Sequence, residues 1–562
     1  MRVARTKSAR SRPAIRGIAA TLGAVLVLAA CAGEDVDTDD TEDAPDVEDV
    51  DAGEGETAEP GASTFVVALD TDVNIIEPHT FRSTAAYSVT DAIYAPPLTQ
   101  VLEDQTGDGK LLYGVPEFRG ELAEDWTIDE DGTATFTIRE DAAFADGTPI
   151  TAHDLAYTLR RSIDGPGYIG ALLPFINISS SDQIVVEDDQ TLVVRADGTS
   201  PFFEQFMAFQ VFGALDEDRI EAEAAADDEW GMAFLEENPT ESGPYVIDEF
   251  DRESQVVLKP NENYPHQDRI MNDGVTIRFV PDADQRALLL QSGDLDMVAG
   301  LSPRLLAELD ADPDVDVVSV PSTRIAYMGM NNAIEPLDDV TVRQAISTAI
   351  PYDALIDQVM AGYAAPAGNL VTSPMDTYAG DEIGTYEEDL EAATALIEEA
   401  GAEGAQLELA VRQSRAQEQE AATFIQDNLR QIGLDVEINV LPDSEFSERL
   451  NARELQLFIH DWFSWGEDPF YQMQFLVQSE AFTNYQNFNS PELDALIAEG
   501  MFEADPDRRA EISRDAQQIL LDEAPMAYLF APDTAVAVRS DVCGVAFDFT
   551  QVARLDTLTR CE

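Results

Sequence analysis

Apolar and polar positions alternate with a period of two through Thr133–Arg139, TATFTIR, and through the shorter DWTID at 125–129. Joined by Glu130-Asp131-Gly132, the two segments predict an antiparallel hairpin. Phe144-Ala145-Asp146-Gly147-Thr148-Pro149 then turns the chain, and the period lengthens until Leu155, Leu159 and Ile163 share one helical face. Thr151 stands where an N-cap belongs, and Asp154, three residues on, makes a variant capping box with it.

The same two periods carry the rest of the chain. Thr64–Leu69 reads as a buried strand, and strands are predicted at 183–186, 191–194, 243–250 and 256–264. Val275–Ala283 opens a new pattern: a strand, a helix over Asp284–Ser292, then Gly293-Asp294-Leu295-Asp296-Met297. Further on come a strand at Tyr327–Asn331 and an amphipathic helix at Val340–Ile350, with Arg343 read as fixing that helix. A helix at Glu387–Gly401, a strand at Leu407–Val411, a helix at Ala421–Gly433 and a strand at Val436–Val440 follow. Strands alternating with helices of this length argue for an α/β lobe.

The identities at these positions go further than their periods. L-A-E-x-W, D-G-x-x-x-x-F-x-[IL]-R and F-x-D-G-T-P-[IV]-T-A-x-D-[LV] follow one another without a gap from Leu122 to Leu155. Later blocks are G-P-Y-V from Gly243, Y-x-G-x-N from Tyr327 to Asn331, and V-R-Q-A-I from Val342. Together they strongly resemble the family 5 extracellular solute-binding proteins, the peptide-, nickel- and oligosaccharide-binding subunits of ABC importers. The resemblance runs over about residues 64–535. It implies an α/β fold of the two-lobed periplasmic-binding-protein type (type II, cluster C) with an extra subdomain in the first lobe. On that basis residues 62–270 are expected to form lobe I, with the inserted subdomain at about 79–200. Residues 271–524 then form lobe II, and 525–562 return to lobe I.

Composition changes the picture at the amino terminus and at the surface. A chain of 562 residues is too long for one core. Its 110 acidic against 33 basic residues give a net charge of −77, with Lys7, Lys110 and Lys259 the only lysines. Nucleic acid is thereby excluded as a partner, because phosphates would be repelled and there is no basic stripe. The acidity fits either a saline habitat, where screening shortens the repulsion, or a bias of base composition. Residues 1–30 hold six basic residues and no acidic one, and the apolar run Ile18–Ala30 has the length of a signal-peptide core. Leu28-Ala29-Ala30-Cys31 resembles a bacterial lipobox, which implies a lipid on the Cys31 thiol and a membrane-anchored, extracytoplasmic protein. Glu34–Glu59 contains fourteen acidic residues, no base and no aromatic, so 31–61 reads as an extended tether.

Candidate chemistry is concentrated at His460-Asp461-Trp462-Phe463-Ser464-Trp465-Gly466-Glu467-Asp468-Pro469, which holds two of the four tryptophans. It resembles the family's W-x-x-D-x-x-[DE]-P segment, which lines the cleft between lobes. Trp462 takes the family's Trp and Asp468 the acid before proline. Trp465 stands where peptide-binding members place the Asp that holds the ligand's ammonium. That job falls to Asp461, Glu467 or Asp468, or the ligand carries no amine there. Aligned on Ile432-Gly433, Arg412 takes the place of the Arg that pairs with the peptide carboxylate, with Arg415 one turn away. A guanidinium suits that role through two parallel charge-assisted bonds. Tyr327 and Asn331 complete the expected ligand-binding set.

Cys543 and Cys561, in an exported chain, read as a disulfide. Asp104–Lys110, DQTGDGK, reads as a solvated turn, because Val115 stands where a calcium loop needs its bidentate Glu. The four histidines, His79, His153, His266 and His460, fall in no H-E-x-x-H, and G-x-S-x-G and phosphate loops are absent from the sequence. The expectation is therefore a monomeric binding protein, without catalysis, cofactor or metal. Its partners would be a peptide or peptide-like solute, an ABC permease with its cytoplasmic ATPase, and the membrane through the lipid. A non-peptide solute, such as an oligosaccharide or metal chelate, or a signalling or chaperone lipoprotein on the same fold, is the alternative.

Overall fold

A computed structural model describes residues 63–561 apart from Asp72, Asn74, Arg82 and Asp376; the signal-peptide, Cys31 and acidic-tether readings lie outside the described residues. Two large sheets carry the architecture. The first has seven strands in the order Val315–Val320, Thr534–Arg539, Met297–Val298, Thr64–Leu69, Gly274–Phe279, Gln255–Pro260, Tyr245–Asp251. Its central strand Thr64–Leu69 pairs in parallel with Gly274–Phe279, from Thr64 opposite Gly274 to Leu69 opposite Phe279. The second has six strands in the order Ala364–Ala365, Met526–Pro532, Ile325–Met330, Leu457–Trp462, Gln406–Arg412, Asp435–Leu441. All six residues of Ile325–Met330 are buried, as expected of a strand covered on both faces.

The chain passes between these sheets twice, once through Pro321–Arg324 and once at Asp533. This corrects the lobe boundaries expected from sequence. Residues 271–320 belong to the first lobe, because Gly274–Phe279, Met297–Val298 and Val315–Val320 all pair within the seven-stranded sheet. Met526–Pro532 belongs to the second, as the antiparallel neighbour of Ile325–Met330. The strand-helix-strand period at 275–297 is the same whichever sheet receives it; only the long-range partner, Thr64–Leu69, decides.

The predicted hairpin forms from Ala123–Ile128 and Thr133–Ile138. Gly132 turns it at φ 87°, a left-handed conformation that a side chain would strain. With Thr191–Arg195 and Ile184–Asp188 it makes a four-stranded sheet against which the Ala152–Asp164 helix packs. Both halves of the capping box are present: the Thr151 side chain accepts from the helix start, and Asp154 Oδ2 accepts from Thr151 N at 2.8 Å. Arg161 on this helix is fully buried and pairs with the equally buried Glu77 at 2.7 Å, which fixes the helix to the segment after the first strand. A second four-stranded sheet brings Leu98–Asp104 and Leu111–Gly120 together with the carboxyl-terminal Val545–Phe547 and Ala553–Arg554. Cys543 and Cys561 are joined in a disulfide beside it. Asp104 accepts from the backbone N–H groups of Thr106, Gly107 and Gly109, so DQTGDGK is a turn capped by its own carboxylate.

Candidate ligand-binding cleft

The two passages between lobes are tied to each other. Ser322 Oγ, on the first, donates to the carbonyl of Pro532, on the second, and accepts from Arg324 N at 3.1 Å. Thr323 Oγ1 donates to Ser464 O at 3.3 Å, which ties the first passage to the loop after Leu457–Trp462. Beside these passages opens a cavity of about 610 Å³ whose wall comes from both lobes. Lobe I contributes Val67 and Leu69 of its central strand and one side of the helix Thr84–Ile93, with Tyr87 prominent. Lobe II contributes Tyr363, Phe463 and Trp465. A cleft at strand ends between two α/β sheets is where ligands of such folds bind.

Most of this wall is apolar or aromatic. Trp465 packs on Phe463 at 5.4 Å, Phe209 at 5.3 Å and Tyr87 at 6.0 Å between ring centroids, so aromatic rings from both lobes meet at the cavity. Among the described residues the wall includes two charged residues, Arg324 and Asp533. Arg324 Nη1 lies 2.6 Å from Asp461 Oδ2, and its guanidinium sits 5.3 Å over the Phe463 ring. Asp461 also holds Arg412, at 2.9 Å, and Arg412 in turn forks onto Glu418, with its Nε at 2.8 Å. Burial works against ionisation of Asp461, but Arg324 and Arg412 outweigh it and hold the carboxyl well below the usual range. Asp533 is the opposite case: burial alone raises it to about 6.

The residues predicted from sequence divide accordingly. Trp465 lines the cavity, and Asp461 and Arg412 stand behind Arg324. Arg412 is not part of the wall, because its guanidinium is taken up by Glu418 and Asp461. Trp462 packs against Phe475 at 5.4 Å, away from the wall. Asp468 caps the Pro469–Leu476 helix through Phe470 N at 2.8 Å and Tyr471 N at 3.1 Å, and pairs with the buried Arg509. Tyr327 is buried in mid-sheet against His460 and Phe458. Asn331 donates to the carbonyls of Arg453 and Leu455 at 3.0 and 3.1 Å, holding a turn rather than facing the cleft. Glu467, buried and raised to about 7 by that burial and then by Asp548, accepts from Tyr113 at 3.4 Å. Arg343 donates to the carbonyls of Leu337, Glu523 and Ala524, which fixes its helix as read.

Sequence reasoning missed Arg324, Asp533 and Tyr363. Arg324 lies three residues before Tyr327 of the Y-x-G-x-N block, just outside the motif. Asp533 carried a readable signal: it is the lone acid between the apolar MAYLFAP and the alternating TAVAVR. No short-range pattern marks Tyr363.

Residues 117–484 match the family model described as bacterial extracellular solute-binding proteins, family 5. The probable D,D-dipeptide-binding periplasmic protein of Escherichia coli K12 is 25% identical over 492 residues, covering 86% of this chain and 93% of that protein. The dipeptide-binding protein of the same strain is 26% identical over 514 residues, covering 87% and 92%. Among solved structures, the ABC transporter-associated periplasmic binding protein of Helicobacter pylori, in complex with the peptide STSA, superposes with a TM-score of 0.73. It is 22% identical and covers 89% of this chain and 98% of that one, so the two-lobed fold is shared.

Proposed function

We propose that this chain, which belongs to the bacterial extracellular solute-binding proteins of family 5, captures a short peptide or peptide-like acid between its lobes and delivers it to the permease of an ABC importer. The observation that carries the reading is the cavity beside the two passages, walled by aromatic side chains from both lobes and given one guanidinium, Arg324. Its volume of about 610 Å³ lies within the usual range for small-molecule sites. A solute that touches both walls favours the closed arrangement by its differential affinity, and closure presents the surface that a permease reads. Arg324 takes the acid end, with Asp461 and Arg412 fixing its orientation, and Trp465 packs against the body of the ligand. Both Escherichia coli relatives above are named as dipeptide-binding, which supports the peptide class.

The protein acts by binding without turnover, as a monomer. Among the described residues no helix is long and apolar enough to cross a membrane. Leu28-Ala29-Ala30-Cys31 and the acidic segment after it support a lipid anchor with the binding lobes held off the surface. A thermal-shift panel of peptides, oligosaccharides and nickel chelates tests the solute class. A ligand at about 100 times its dissociation constant stabilises the fold by about 2.7 kcal/mol, which is readily detected. Peptides are expected to raise Tm; a rise with sugars or chelates alone would overturn the peptide reading.

A further inference from the structure

We propose that Asp533 is the acceptor for a cationic group of the ligand, an ammonium above all, and that it couples this contact to closure. The proposal rests on the reading that the interlobe cavity is the solute site. Asp533 is the single residue between Met526–Pro532 of the second lobe and Thr534–Arg539 of the first. Its backbone N–H donates to the carbonyl of Tyr363 at 3.1 Å, another wall residue, so the position is held from the second lobe while the chain leaves for the first. Asp533 itself is one of the residues that line the cavity, and it is half-buried there. Among the described residues no side chain forms an ion pair with the Asp533 carboxylate, although Arg161, Arg324, Arg412 and Arg509 are each matched with an acid.

The charge on the wall is therefore lopsided. Arg324 is already neutralised by Asp461, itself held by Arg412, whereas Asp533 is left without a countercharge. A half-buried carboxylate bears a desolvation cost that a cation brought into the cavity would offset. That burial, with no neighbour opposing it, raises Asp533 to about 6, so near neutral pH it is ionised and ready to pair. A ligand with an acid at one end and an amine at the other fits the two charged positions. Because Asp533 sits at a passage between lobes, a cation held there bridges the segment whose backbone must adjust when the lobes close.

The test uses the full chain and two kinds of probe. One is the tripeptide Ala-Phe-Ala with its N-acetyl and C-terminal amide forms; the other is phenethylamine, an aromatic amine without a carboxylate. Affinities are measured by calorimetry for wild type, Asp533→Asn and Asp533→Glu. N-acetylation is expected to weaken wild-type binding by roughly 30-fold, the size of a removed partner in a partly desolvated charge pair. Asp533→Asn should bind free and acetylated tripeptide within about threefold of each other, Asp533→Glu should restore most of the difference, and the amidation penalty should persist in both variants, showing that the site is intact. An acetylation penalty undiminished in Asp533→Asn overturns the proposal while leaving the peptide reading standing. If no tripeptide binds wild type but phenethylamine does, and Asp533→Asn loses it, the peptide reading falls and Asp533 stands. If neither probe binds wild type, both fall.

Discussion

Arg324, the residue just before the Ile325–Met330 strand, lies 2.6 Å from Asp461 on the neighbouring antiparallel strand, and the same carboxylate reaches back 2.9 Å to Arg412. One aspartate thus aims a guanidinium at the cavity while a second guanidinium holds the aspartate. The two arginines therefore differ in what their loss removes. Arg324 has 43% of its side chain exposed, so Arg324→Ala should leave Tm nearly unchanged while weakening a carboxylate-bearing ligand by roughly 10-fold or more. Arg412 and Glu418 are 13% and 11% exposed, so Arg412→Ala strands a buried acid and should cost about 3–5 kcal/mol of stability. Calorimetric binding and denaturant unfolding of the two variants check this; an Arg412→Ala protein of wild-type stability with selectively lost binding would return the carboxylate contact to Arg412.

The Glu77–Arg161 pair carries no exposure at either partner, and it joins the signature helix to the segment after the first strand. Removing one member leaves the other charged and unpaired in the core. Glu77→Gln should lower the unfolding free energy by about 3–5 kcal/mol, read from the urea midpoint, with ligand specificity unchanged.

Acid should stabilise the folded protein over a defined window. Burial raises both Asp91 and Glu467 to about 7, well above the values they take in the unfolded chain. The folded state therefore holds these protons more tightly, so their contribution is fully present below about pH 4 and is lost as pH rises through about 7. Relief of the −77 charge acts in the same direction. Tm is expected to be higher near pH 5 than near pH 8, and Glu467→Gln should flatten that slope. A Tm that rises from pH 5 to 8 in wild type contradicts the assignment.

Cys543 and Cys561 are bonded across an eighteen-residue separation, for which chain-entropy arithmetic gives about 3 kcal/mol. Both should resist alkylation in denatured, unreduced protein, and reduction should lower Tm. At the other end, Cys31→Ser should release the protein from membranes; a soluble wild-type protein beginning at another residue would refute the anchor.

Local chemistry was legible and long-range pairing was not. TATFTIR, Thr151 with Asp154, and the helices and strands of lobe II announce themselves by period and cap, and the structure forms them within a few residues. The lobe boundary at 271 failed because Gly274–Phe279 has the same alternation in either sheet, and its choice of Thr64–Leu69 spans more than two hundred residues. The site divides the same way. Trp465 could be read from an aromatic cluster, but Asp468 carries the same acidic signal and is spent on a helix cap and Arg509. Arg412 has the residue type and position for a ligand contact, and only the side chains of Glu418 and Asp461, folded against it, show that its donors are engaged.

Native mass spectrometry of the full chain drawn from its own cells reads the bound solute itself. One small ligand per chain is expected, released on unfolding with a mass and fragmentation pattern of a short peptide or peptide-like acid. Trp465→Ala and Arg324→Ala proteins prepared identically should carry much less of it. A sugar or metal chelate in its place, or a peptide retained equally by both variants, would rule out peptide capture in this cleft.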